Sequence, residues 1–246
     1  MKSTLILISL LIFASCSNNR YSEFKGNIES VSEKTYSCSE KFGEIIKEKL
    51  KEGRSYHFVD NDISEFALYD DEGEKVYSYE TEFKDEKPIV KKIKRRDFDS
   101  HTYETIQIEE TQSLISRNSQ NEIWLRTKNS GNDTIFCELD KYGFVCLQKE
   151  KDAKGNIITT TFKRNKNKIV IESVYSVNDL VENTIKSDFD ENNFEIRREH
   201  ENLKYEWKET TTYKYKTDEI GNWIERIAYI DNVPKSITIR EIKYKK

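Results

Sequence analysis

The chain has 246 residues, of which 41 are Lys or Arg and 45 are Asp or Glu, giving a formal net charge of −4. That balance lacks the basic surface that nucleic acid requires of a partner. Charged and hydrophobic residues each make up 35% of the chain, too few apolar side chains for a compact globule of this length. The composition points to a sheet that exposes one face, or to a narrow stack of hairpins.

The chain opens with Met1-Lys2-Ser3-Thr4, one positive charge, followed by the apolar run Leu5 to Phe13 and the small residues Ala14-Ser15 before Cys16. A run this short reads as an export signal over residues 1–15 and not as a transmembrane span. Phe13-Ala14-Ser15-Cys16 resembles a bacterial lipobox, with Phe13 where an aliphatic residue is usual. The resemblance implies that Cys16 is lipidated, becomes the first mature residue and tethers the protein to a membrane through residues 16–26. Lipidation of Cys16 leaves Cys38, Cys137 and Cys146, an odd number that cannot all pair within one chain. A bulge at Gly143 sets Ile135, Cys137 and Leu139 on one face with Val145 and Leu147 and turns Cys146 away, so Cys137 and Cys146 are expected not to be bridged.

Residues 27–52 admit a short helix, but Gly43 within Glu40-Lys41-Phe42-Gly43 favours two strands and a turn. From Tyr56 onward one punctuation recurs: Asp70-x-x-Gly73, Asp140-x-x-Gly143, Asp152-x-x-Gly155 and Asp218-x-x-Gly221, with Asn193 in the same place after Asp190. Asp supplies a side-chain acceptor for the turn, and Gly or Asn takes the left-handed conformation before the chain re-enters a strand. Asp85-Glu86-Lys87-Pro88 and Asp231-Asn232-Val233-Pro234 are two more turns, which would confine both prolines to connections. Strand-like runs lie around 75–83, 89–96, 103–109, 123–128, 134–139, 144–150, 157–163, 168–175, 180–189, 194–200, 205–216, 223–230 and 235–244. Connections this short make neighbouring strands antiparallel. The expected fold is therefore all-β: a single repeat domain over 27–246, an extended, curved antiparallel meander of hairpins, open or solenoid-like.

Phe189-Asp190-Glu191-Asn192-Asn193, the stretch from Tyr213-Lys214-Tyr215 through Gly221-Asn222-Trp223-Ile224-Glu225-Arg226, and Tyr229-Ile230-Asp231 resemble degenerate YD repeats of RHS and teneurin-type proteins. With the lipobox, they resemble small envelope lipoproteins of Gram-negative bacteria. The resemblance implies hairpins laid side by side in an extended sheet and a place in the cell envelope, the outer membrane before the inner.

His57, His101 and His200 have no partners at metal-ligand spacing and read as solvated strand residues. No nucleophile elbow, phosphate loop or metal-binding His-Glu pair is present, and no cofactor is implied. Lys91-Lys92-Ile93-Lys94-Arg95-Arg96 reads as a charged edge strand, or as a contact for anionic lipid. Pairing across Gly221 predicts Tyr213 opposite Ile227 and Thr211 opposite Tyr229. Tyr205, Trp207, Tyr213, Trp223 and Tyr229 would then form one aromatic stripe, either core or ligand platform. These observations favour a non-catalytic, lipid-anchored binding or scaffold module for glycan or an envelope protein. The alternatives are a glycan hydrolase, whose two carboxylates could come from any two strands, and an inhibitor of a secreted toxin.

Overall fold

The computed structural model describes residues 24–59, 62–84, 87–99, 104–128, 131–152 and 154–245. The export segment, Cys16, the tether as far as residue 23, and His101 lie outside them. Sixteen strands follow in order: β1 (Ile28–Lys41), β2 (Glu44–Val59), β3 (Asp62–Tyr69), β4 (Lys75–Lys84), β5 (Lys87–Asp99), β6 (Glu104–Arg117), β7 (Asn121–Lys128) and β8 (Gly131–Leu139). The second half comprises β9 (Val145–Lys151), β10 (Ile157–Arg164), β11 (Val170–Val177), β12 (Leu180–Phe189), β13 (Glu195–Asn202), β14 (Trp207–Thr217), β15 (Trp223–Ile230) and β16 (Val233–Tyr244).

Each strand pairs antiparallel with the next, and β16 returns to pair with β1, so the sheet is a closed barrel. This corrects the expected open or solenoid-like meander. The closing ladder runs from Ile28 opposite Tyr244 to Ser37 opposite Ser236. The physical reason is the fate of the two edges: an open meander leaves a row of unpaired N–H and C=O groups along β1 and another along β16, and closure pairs them with each other. An even number of strands brings both termini to one end, where the Lys245 N–H donates to the Asn27 carbonyl at 2.8 Å.

Closure also removes the edge expected at β5, which lies between β4 and β6. Lys92 and Lys94 point outward and pair with Glu82 and Glu109 at 2.8 and 3.3 Å, whereas Lys91 turns inward and sits 5.7 Å above the ring of Trp124. Both prolines fall inside strand ladders and not in connections: Pro88 stands opposite Phe83 and Pro234 opposite Tyr229, each where the register shifts. A bulge interrupts the ladder, so the missing N–H is tolerated there.

The Asp-x-x-Gly loops share one construction. In the loops at Asp70, Asp140, Asp152, Asp190 and Asp218, one side-chain oxygen of the aspartate accepts the backbone N–H groups two and four residues on. The loop of Asn165 is built the same way, with Lys168 at φ 66° in the left-handed position. Five of the six loops are followed by one unopposed residue in the next strand: Val76, Cys146, Ile171, Ile196 or Ile224. Each is a bulge, and it reverses the inward and outward assignment of every residue beyond it.

That reversal corrects two registers. Leu147 stands opposite Glu138 on the outer side, and Gln148, not Leu147, joins Cys137 inside. Cys38, Cys137 and Cys146 are all thiols. In the C-terminal hairpin Tyr213 faces Ala228 and Thr211 faces Ile230, so Ile227 and Tyr229 lie on the outer face.

Candidate functional site

The inward face can be followed around the wall through cross-strand partners: Glu33, Arg54, Leu68, Tyr77 and Arg95 from β1 to β5, and Ser187, Arg198, Thr211, Ile230 and Val233 from β12 to β16. Two apolar clusters line it. One joins Ile28, Val31, Tyr56, Phe58, Ile63, Leu68, Tyr77, Tyr79 and Ile93; the other joins Trp124, Ile135, Cys137 and Val145. From β10 to β15 the outer face is of the opposite character. Lys163 and Lys186 flank Glu172, Arg197 and Lys208 flank Glu199, and Lys216 meets Glu225, all as cross-strand or same-strand ion pairs in contact with water. A barrel that spans a bilayer needs an outward apolar band, and an outward Lys or Arg at its midplane costs about 2–4 kcal/mol.

Arginines converge inside the half of the barrel that carries the termini. The bulge at Ile224 sets Trp223 and Arg226 on the same inward face although they are three residues apart, and the bulge at Ile196 does the same for Glu195 and Arg198. Arg240 donates to Glu33 at 2.9 and 2.6 Å, Arg54 to Glu52 at 2.6 Å, and Arg198 to both oxygens of Glu195 at 2.8 and 2.7 Å. Burial would raise the Glu33 carboxyl, but Arg240, Arg54 and Arg226 outweigh it and hold Glu33 below the usual carboxylate range. Arg198 on β13 and Arg54 on β2 are five strands apart around the concave inner wall of the closed barrel, yet the charge of Arg54 still reaches Arg198.

Arg226 differs from its neighbours. Its guanidinium carbon stands 5.2 Å from the ring centres of both Tyr213 and Trp223, and no described residue accepts a hydrogen bond from it or forms an ion pair with it. Of the four guanidiniums in the arc, three are thus paired with Glu33, Glu52 and Glu195, and the charge of Glu209 also reaches Tyr213. The side chains of Arg198 and Arg54 retain 33% and 20% of their exposure while pointing inward from a closed wall, so the space they face holds solvent. A closed barrel of sixteen strands is wide enough for this, since about eight already fill their interior with side chains.

Elsewhere the inward polar groups are only partly satisfied: Arg95 Nε, Gln112 Oε1 and Arg164 Nε are buried with no hydrogen-bond partner among the described residues. Arg126 grips Asp133 through two hydrogen bonds at 2.7 and 2.6 Å and also reaches Glu150 and the carbonyl of Lys151. Burial would raise Asp133, and the bonds and charge of Arg126 reverse the shift and lower its pKa. Among the described residues no group of three His, Cys, Asp or Glu side chains is placed to hold a metal.

The singled-out residues scatter. Gly73, Gly143, Gly155, Asn193 and Gly221 have φ between 66° and 88° and cap loops at both ends of the barrel. Tyr205 is 55% exposed in the β13–β14 connection, Trp207 is 36% exposed at the rim, Tyr213 and Trp223 face inward beside Arg226, and Tyr229 faces outward. The predicted stripe is therefore not one surface. His200, expected to be solvated, is half-buried against the edge of Trp207, 4.6 Å between centres, and burial followed by the charge of Arg198 lowers its pKa. Sequence reasoning singled out none of Glu33, Arg54, Arg198, Arg226 and Arg240 as site residues; Arg226 entered only as the end of the YD-like stretch. Their one signal, charge at positions that alternate with Tyr and Trp, is legible only in the correct register.

No family model and no curated protein matches the chain. A solved structure does: a porin-like protein from Bacteroides uniformis is similar over 89% of this chain and 99% of its own, with 13% identity and a TM-score of 0.38.

Proposed function

We propose that this protein is a non-catalytic binding module held at the bacterial envelope by a lipid on Cys16, with its barrel in water and its ligand in the lumen. The observation that carries the reading is the pair of faces: an outer surface crossed from β10 to β15 by Lys, Arg and Glu ion pairs suited to water, and an inner surface where arginines and aromatic rings converge. A lumen enclosed by one wall suits a slender ligand such as a glycan segment better than a folded partner. A second reading, docking of an envelope protein, is favoured by the apolar rim at the end away from the termini, where Leu180, Leu203, Tyr205 and Val233 are exposed.

Phase partitioning in a detergent that separates on warming tests the reading. The exported wild-type chain is expected in the detergent phase and Cys16→Ala in the aqueous phase. Retention of Cys16→Ala in detergent would mean that the wall itself takes up lipid and would overturn the water-facing barrel. Partition of the wild type into water would remove the anchor.

A further inference from the structure

The arginine arc contains one guanidinium without a carboxylate partner. Arg240, Arg54 and Arg198 each have a carboxylate at 2.6–2.9 Å, whereas the donors of Arg226 meet no acceptor among the described residues. Its surroundings do not otherwise neutralise it: Glu33 lies near but is gripped by Arg240, and Arg198 adds a second positive charge. A guanidinium costs little to hold in place when rings lie against it, and Tyr213 and Trp223 both stand 5.2 Å away. The result is a planar fork of five donors, positioned in advance and lining a space that water reaches. Such a fork matches the two oxygens of a carboxylate or phosphate better than it matches any neutral group.

From this arrangement we infer that Arg226 is the anion-recognition residue of the lumen and that the ligand carries a carboxylate or phosphate, as an acidic or phosphorylated sugar does. The inference rests on the reading of the lumen as a ligand site. An entering anion would supply at contact distance the counter-charge that Arg226 lacks, and the bound group would be shielded from bulk counter-ions by the wall. Neighbouring hydroxyls fit the same role: Thr35 and Thr238 share a hydrogen bond of 3.0 Å on the inward face, and Thr238 stands directly opposite Arg226. A purely structural arginine would show the reverse pattern, with its donors spent on the protein and its removal destabilising.

Titration calorimetry on the Cys16→Ala protein with glucuronate, glucose 1-phosphate, inorganic phosphate and neutral glucose tests this. At least one anion is expected to bind and glucose not to compete with it. Glucuronate without phosphate identifies a carboxylate ligand, and glucose 1-phosphate with inorganic phosphate identifies a phosphate ligand. Arg226→Gln should weaken the anion at least tenfold while the protein melts no earlier than the parent, because a crowded positive charge is gone. Arg226→Lys, which keeps the charge and loses the fork, should fall between them. Equal affinity in Arg226→Gln and the parent would overturn the assignment. Failure of every anion, with neutral glycans still bound on an array, would sink the inference and leave the binding module standing; silence from all ligands would sink both.

Discussion

Glu33 and Arg240 form the most deeply enclosed ion pair described in the chain, with 5% and 3% of their side chains exposed. An ion pair in such a place contributes little net stability compared with apolar residues of the same shape, but half of it is costly to keep. Glu33→Ala should therefore destabilise the barrel by about 3–5 kcal/mol in urea unfolding, since it leaves Arg240 against Arg54 and Arg226 with no carboxylate between them. The sign with pH follows from the lowered pKa of Glu33. Its contribution is complete above the ordinary carboxylate range and is lost as pH falls through the lower folded value. The parent should accordingly lose stability on the acid side more steeply than Glu33→Ala, and parallel acid limbs would show that the pair is not the buried contact described here.

At the scale of the element, the loops do more than reverse the chain. Asn222 follows the Asp218 loop and is fully buried: its side-chain amide donates to the Lys25 carbonyl and the Tyr244 hydroxyl, both at 2.8 Å, and its carbonyl accepts the Lys25 N–H at 2.6 Å. This one side chain clasps the N-terminal segment, the Asp218 loop and β16, so the expected tether is packed against the barrel from Phe24 onward. Asn222→Ala orphans the backbone groups of Lys25 at about 1–3 kcal/mol each, and it should lower the melting temperature and expose the chain before β1 to limited proteolysis. A variant that melts and resists protease like the parent would mean the clasp is incidental. The same loops explain what the sequence discloses and what it hides. Alternation marks the strands, and Asp with Gly or Asn marks the turns, because both are local chemistry. The unopposed residue six places after the Asp, or after Asn165, carries no mark: Val76, Ile171, Ile196 and Ile224 are ordinary strand formers, and a bulge there is a property of the pairing. Placing the single bulge at Gly221 shifts the last hairpin by one residue, which turns Arg226 outward and Tyr229 inward and so conceals the site.

At the scale of the whole molecule, closure is the feature no single segment announces. Each hairpin is satisfied locally whether or not the first strand meets the last, and the difference resides in the accumulated twist and coil of sixteen strands and in the two edges left over. Closure places Thr35 directly opposite Thr238 with their hydroxyls 3.0 Å apart, across a sequence separation of 203 residues. Replacing both with cysteine should therefore let a disulfide form on mild oxidation, identified as a cross-linked peptide joining β1 and β16. A bridge that closes a loop of this length should add roughly 5 kcal/mol by the chain-entropy argument, less whatever strain it introduces, and raise the urea midpoint accordingly. An open sheet would keep these two strands at opposite margins, far beyond the distance of about 7 Å between Cα atoms that a disulfide tolerates. Oxidation that leaves the two thiols free in the folded monomer, or links them only between molecules, would return β1 and β16 to the edges of an open sheet and remove the lumen with them.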